Sequence, residues 1–177
     1  MAESQLVQQL PHECRTTLYK ILSKTTTSDD PKFRAMLREV SDAGDEDAKV
    51  VIFSQSKETL QLAQLALFEK SVTQAIVKSG MAATARQESV VSFVDGDARV
   101  LLLQAGVAAA GLTLTVASKI IFLEPFEVEG DVKQALGRVH RIGQTKAVRA
   151  SVLYVKGSVE ERLLAQANTQ AFATLPV

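Results

Sequence analysis

Within KVVIFSQSKETLQLAQLALFEKSVTQAIVKSG, Lys49 to Gly80, the hydrophobic rhythm changes twice. KVVIFSQ, Lys49 to Gln55, is a short, continuous apolar run ending in polar residues. Glu58 to Lys70 then carries Leu62, Leu65, Ala66 and Phe68 at helical intervals, and TQAIVKSG, Thr73 to Gly80, is a second short run. A strand that is apolar along its whole length belongs inside a parallel sheet covered on both faces. Strand, helix and strand in that order make a crossover unit, and such crossovers are right-handed.

The same rhythm continues downstream. ARQESVVSFV, Ala85 to Val94, reads as a second helix, and RVLLLQ, Arg99 to Gln104, as a third strand. KIIFLEP, Lys119 to Pro125, is the fourth strand, DVKQALGRVHRI, Asp131 to Ile142, a helix, and VRASVLYV, Val148 to Val155, the fifth strand. SVEERLLAQA closes with a helix whose Ser158 and Glu161 have capping-box spacing. The expected fold is α/β, an open, mainly parallel sheet of five or more strands. Ligands of such sheets sit at the carboxyl ends of the strands, which here are SQSK, KSG, QAG, EPFE and YVKGS.

Upstream, SKTTTSDDP, Ser23 to Pro31, has loop composition. Phe33, Met36, Leu37 and Val40 follow at helical spacing, with Asp29 or Asp30 as a cap and acidic residues around Gly44 as a stop. Residues 1–48 therefore read as a linker-like lead-in carrying one helix, 49–165 as the domain proper, and 166–177 as a C-terminal extension.

At 177 residues, 46% hydrophobic, the chain suits one domain with a sizeable core. Twenty basic and twenty acidic side chains cancel, unlike a free-standing DNA-binding domain. Any nucleic-acid contact must come from a local patch. Cys14 is the only cysteine, which excludes an intrachain disulfide or a multi-cysteine zinc site. No metal site is expected. No run approaches the roughly 20 apolar residues of a membrane span, and no signal peptide is evident, so the chain reads as soluble and intracellular.

Charge is nevertheless uneven. Glu124, Glu127, Glu129 and Asp131 form an acidic run, and from Val132 to Val159 there is no acid at all. On a helix over 131–142, at about 100° per residue, Gln134, Arg138 and Arg141 fall within about 60° of one another. Val132, Ala135, Leu136, Val139 and Ile142 gather on the other side, ready to dock on a sheet. Arginine's planar fork binds phosphate oxygens bidentately and keeps its charge. Geometry alone leaves two readings open: an ordinary solvated face, or a row set to meet an anionic partner.

QALGRVHRIGQTK, Gln134 to Lys146, closely resembles the sixth motif of Swi/Snf-type ATPases of helicase superfamily two. Its pattern, Gln-x-x-x-Arg-x-His-Arg-x-Gly-Gln, is met by Gln134, Arg138, His140, Arg141, Gly143 and Gln144. KVVIFSQ resembles the fourth motif. SGMAATARQESVVSF resembles the segment after it, with Gly80, Arg86 and Phe93 in place. GLTLTVASKIIFLEP resembles the fifth motif, and GSVEER the closing element. The wording ALGRVHRIGQTK and the Glu124-Pro125 pair lean toward the SHPRH-like branch.

The resemblance implies the second of two RecA-like lobes, a three-layer sandwich. It implies ATP and Mg²⁺ held mainly by a first, N-terminal lobe of the same parent chain. Arg138 and Arg141 are then arginine fingers, and Gln134 and Gly111 join them around the nucleotide. Ser54, Gln55, Lys78, Ser79, Gly80 and Thr113 are then candidates for contact with double-stranded DNA or chromatin, in the nucleus. Two segments depart from the family. Glu124 to Val128 lacks the usual Trp and Asn, and Thr113 stands in place of the usual Asn. Both put coupling to DNA in doubt, so a drifted DNA- or protein-binding module is the alternative.

A complete ATPase also needs a phosphate loop. GVAAAGLT, Gly106 to Thr113, has the glycine spacing, but Leu112 stands where the lysine must be. No acidic box of the Asp-Glu-x-His kind is present, so this stretch alone is expected to be inactive. A Rossmann-type cofactor binder is discounted because no Gly-x-Gly-x-x-Gly occurs.

Overall fold

Successive residues of a strand point to opposite faces, and here both sets are buried. In strand β1 (Lys49–Ser54), Val51 and Phe53 enter one core cluster while Val50 and Ile52 enter another. In the computed structural model, which describes residues 27–44, 48–107, 111–126 and 128–166, this duplication recurs. In β3 (Val100–Gln104), Leu101 and Leu103 face one cluster, and Val100 and Leu102 the other. In β4 (Ala117–Phe122), Ile120 and Phe122 oppose Ile121. With β2 (Gln74–Val77) and β5 (Arg149–Val152) these strands form a five-stranded, all-parallel sheet in the order β2-β3-β1-β4-β5.

Helices cover both faces. Helices α1 (Pro31–Ser41) and α2 (Lys57–Glu69) pack on one, through Phe33, Met36, Val40, Leu60, Ala63, Ala66 and Leu67. Helices α3 (Ala83–Val94) and α4 (Glu129–Val139) pack on the other, through Phe93, Val132, Ala135, Leu136 and Val139. A short α5 (Val159–Gln166) follows β5. Each fully buried leucine or phenylalanine removed from water contributes about 1.5–3 kcal/mol, so the two clusters together supply most of the driving force. Phe53 stacks on Phe122 at 5.5 Å, and Phe126 meets Phe122 edge-on at 5.1 Å. This is the RecA-like three-layer α/β fold.

Local signals set the helix starts. Asp30 accepts from the Lys32 N–H at 2.8 Å, with Pro31 following, and Ser56 accepts from the Thr59 N–H at 3.0 Å. The α1 helix, although it lies in the lead-in, is part of the packed body. Its Glu39 reaches Lys119 of β4 at 2.8 Å and accepts from Ser151 of β5 at 2.7 Å. Its Lys32 pairs with Glu160 of α5.

Three expectations are corrected. The buried face of α2 is Leu60, Ala63, Ala66 and Leu67, while Phe68 is 53% exposed. The β5 strand stops at Val152, where its partner β4 runs out at Phe122. Helix α4 stops at Val139 rather than Ile142, and Ile142 is 100% exposed. The expectations on Cys14 and the rest of 1–26, on the acidic residues 45–47, on Glu127 and on 167–177 lie outside the described residues. Among the described residues no helix is long and apolar enough to cross a membrane.

Candidate functional site

The site is built on the end of α4. Val132, Ala135, Leu136 and Val139 fix the helix to the sheet, so the opposite side, with Gln134 exposed and Arg138 half-buried, faces outward. His140 then leaves the helical region, with φ −87° and ψ 86°. Gly143 takes φ +101°, a conformation that a side chain makes costly. Arg141 therefore sits on a turn beyond the helix, and the expected single helical row of Gln134, Arg138 and Arg141 is replaced by a helix residue followed by a turn residue.

This turn is tied to the segment that follows β3. The carbonyl of Arg138 accepts from the Leu114 N–H at 2.9 Å, and Arg141 Nη1 donates to Thr113 Oγ1 at 3.4 Å, the long limit of a hydrogen bond. Thr113, expected among the DNA contacts, thus lies beside Arg141. Gly111, exposed, precedes it in the same loop. Among the described residues no carboxylate is paired with Arg138 or Arg141. Arg138 Nε is buried with no hydrogen-bond partner. A guanidinium nitrogen left in that state costs free energy unless a ligand acceptor completes it. Among the described residues, then, no carboxylate neutralises either cation, Arg141 is exposed and Arg138 half-buried.

The other expected residues lie at the far end of the sheet. Ala117, at the start of β4, is in register with Lys49, whereas Ser54 ends β1. A strand rises about 3.3 Å per residue, so roughly 17 Å separates the two ends. At the carboxyl edge the chain leaves β1 toward the face of α2 and leaves β4 toward the face of α4, opening the crevice in which such sheets bind ligands. Glu124 occupies it. Its carboxylate accepts from the Ser54 hydroxyl at 2.9 Å and from the Gln55 N–H. Ser54 is fully buried, and its hydroxyl is engaged by Glu124 and the Ser56 carbonyl. Gln55 is exposed, and its carbonyl accepts from Gln104 Nε2 at 3.3 Å. Gln104 Oε1 in turn accepts from the Ser79 N–H at 2.8 Å. These bonds link the ends of β4, β1, β3 and β2, and place Gln55, Lys78, Ser79 and Gly80 along one edge.

Glu124 is the residue that sequence reasoning missed as part of a site. Burial pushes its carboxyl above the ordinary range. The Gln55 N–H, the Ser54 hydroxyl and the Lys32 charge pull it back, while Glu160 adds to the rise. The available signal was an acid directly after an apolar strand at the ligand-binding edge. Among the described residues no group of three or more His, Cys, Asp or Glu side chains is set to hold a metal ion.

Comparison with known proteins agrees with this geometry. The helicase conserved C-terminal domain family matches residues 31–143. The chain is 33% identical to DNA repair protein RAD5A of Arabidopsis thaliana over 78% of its own length and 14% of that protein's. It is 39% identical to TATA-binding protein-associated factor mot1 of Aspergillus fumigatus over 70% of its own length and 7% of that protein's. The crystal structure of the C-terminal part of the Fun30 ATPase domain superposes with a TM-score of 0.73 at 25% identity, over 80% of this chain and 46% of that one. The chain thus spans only a small part of the curated relatives it matches, which are Swi/Snf-type helicases. With a parallel five-stranded sheet, the sixth-motif arginines at the end of α4 and these matches, the chain belongs to the helicase conserved C-terminal domain family, as a RecA-like lobe of the Swi/Snf type.

Proposed function

We propose that this chain is the second lobe of a DNA-dependent ATPase of the Swi/Snf type. It supplies Arg138 and Arg141 to an ATP whose phosphates and Mg²⁺ are held by an N-terminal lobe of the same parent protein. The lobe proper runs over 49–165, with 1–48 leading in and 166–177 extending it, and α1 of the lead-in packed onto the sheet. The observation that carries this reading is the pair of guanidiniums without a carboxylate, one with a buried, unpartnered Nε. Rigid cations of this kind stabilise charge that develops on phosphoryl oxygens during transfer.

In the same reading the nucleotide side is Gln134, Gly111, Arg138 and Arg141. The DNA side is the edge formed by Gln55, Lys78, Ser79 and Gly80. Gly80, at φ +81°, keeps the loop backbone open to a phosphate. Ser54 supports this edge through Glu124, and Thr113 serves the arginine side. The setting is nuclear, in DNA repair or transcription, as the names of the relatives suggest. A drifted module that binds DNA or protein without turnover is favoured by one observation: the segment from Glu124 to Val128 has neither Trp nor Asn.

DNA-stimulated ATP hydrolysis by the full-length parent separates the two. Arg138→Ala and Arg141→Ala are each expected to lower kcat by roughly 10³-fold, with nucleotide binding largely kept. A parent that shows no DNA-stimulated turnover before mutation is a drifted module.

A further inference from the structure

Gln144 follows the arginine turn and is half-buried beneath it. Its amide is fully used. Nε2 donates to the Ala117 carbonyl at 2.8 Å and to the Val139 carbonyl at 3.3 Å, and Oε1 accepts from the Lys146 N–H at 2.9 Å. Its backbone N–H donates to the Arg141 carbonyl at 2.9 Å. One side chain thus joins the last residue of α4, the first residue of β4 and the strand-bound return of the turn.

We propose that Gln144 is a positioning residue that sets the direction of Arg141; this rests on the reading of Arg141 as a nucleotide contact. Helix α4 ends at Val139, so helical hydrogen bonding does not hold Arg141. Its own contact to Thr113, at 3.4 Å and exposed, is weak. No heavy atom lies within 4 Å of where a Cβ on Gly143 would stand, so nothing packs on that side of the turn. Direction must come from what anchors the turn: the Leu114 N–H holds the helix end at the Arg138 carbonyl, and past Arg141 the anchor is the Gln144 amide. Both halves of the amide are needed, since the carbonyls of Ala117 and Val139 require a donor while the Lys146 N–H requires an acceptor. Replacing the donor by a carboxylate would set an anion against two carbonyl oxygens. A guanidinium displaced by about 1 Å can cost on the order of 10²-fold in rate without any loss of fold.

The test uses the full-length parent, with DNA-stimulated ATP turnover and the unfolding midpoint measured together. Gln144→Leu and Gln144→Glu are expected to lower kcat by roughly tenfold or more while KM for ATP moves less than about threefold. Gln144→Lys, which keeps a donor for the two carbonyls but offers no acceptor to the Lys146 N–H, is expected to recover only part of the loss. Combining Gln144→Leu with Arg141→Ala is expected to be no slower than Arg141→Ala alone, because the two act as one unit. A merely structural role would add its own penalty in that background and would track the unfolding midpoint. Unchanged kcat in Gln144→Leu and Gln144→Glu, or a loss that persists in full beside Arg141→Ala, overturns the proposal while leaving the arginine reading intact. Full turnover in Arg141→Ala alone overturns the arginine reading itself, and this proposal with it.

Discussion

At the scale of single residues, two half-buried acids of this lobe are shifted in opposite directions. Lys119 lies inside β4 at 6% exposure, and a buried ammonium persists only when paired. Glu39 supplies the pair and also accepts from Ser151, so α1, β4 and β5 meet at one carboxylate. Hydrogen bonds from Lys119 and then Ser151 hold the Glu39 carboxyl below its ordinary 4.5, against the opposing effect of burial. An acid with a lowered folded pKa stabilises the fold above its unfolded pKa, and that contribution fades as pH falls through the lowered value. Glu39→Gln is therefore expected to cost on the order of 1 kcal/mol at neutral pH, since solvent reaches about a third of the Glu39 side chain and screens the pair. In urea unfolding followed across pH, the difference should shrink below pH 4.5. A difference that does not change with pH would contradict the assignment. Glu124 behaves in reverse, since its raised folded pKa gives stability at low pH that is lost as pH rises through that value. Glu39 was not legible as a structural centre in the sequence, because nothing local marks it, and Glu124 left only the signal of an acid directly after an apolar strand. The partners of Glu124, Ser54 and Gln55, are about seventy residues away along the chain.

At the scale of elements, what was legible was what repeats. Continuous apolar runs gave the central strands β1, β3 and β4, because a strand buried on both faces needs no alternation, while the edge strands β2 and β5 are only partly buried. Helix periodicity gave the apolar side of α4 through Val132, Ala135, Leu136 and Val139. It failed at the next step, Ile142, which has the right spacing but stands fully exposed. The helix is stopped there by a left-handed Gly143 and by the bond from Gln144 to Ala117, a residue distant in sequence, and periodicity cannot register either. The same limit explains α2, where the side that meets α1 is decided by packing. The correction at α4 has a direct consequence. Val139→Ala is expected to destabilise by about 1–3 kcal/mol, whereas Ile142→Ser should stay within about 0.5 kcal/mol. Chemical denaturation checks both. A large cost at Ile142 would mean that the helix continues and that Arg141 belongs to it.

At the scale of the whole molecule, the two candidate clusters lie at ends of the sheet separated by the length of a strand. The carboxyl edge ties Glu124, Gln55, Gln104 and Ser79 together by hydrogen bonds and carries the residues proposed to meet DNA. The amino end carries Arg138 and Arg141, with no acid between Val132 and Val159 to neutralise them. In the proposed reading, a rigid sheet between two such ends would make DNA contact and nucleotide contact move as one body. The proposed role of the arginines is to bind the transition state of hydrolysis more tightly than ATP itself, as catalysis requires. The most direct measurement is the affinity of the full-length parent, with DNA present, for ADP–aluminium fluoride and for ATP, before and after Arg138→Ala. The transition-state mimic should weaken by roughly tenfold or more while ATP changes by less than about threefold. Equal weakening of both, or no change in either, would contradict the assignment of these guanidiniums to the phosphoryl group.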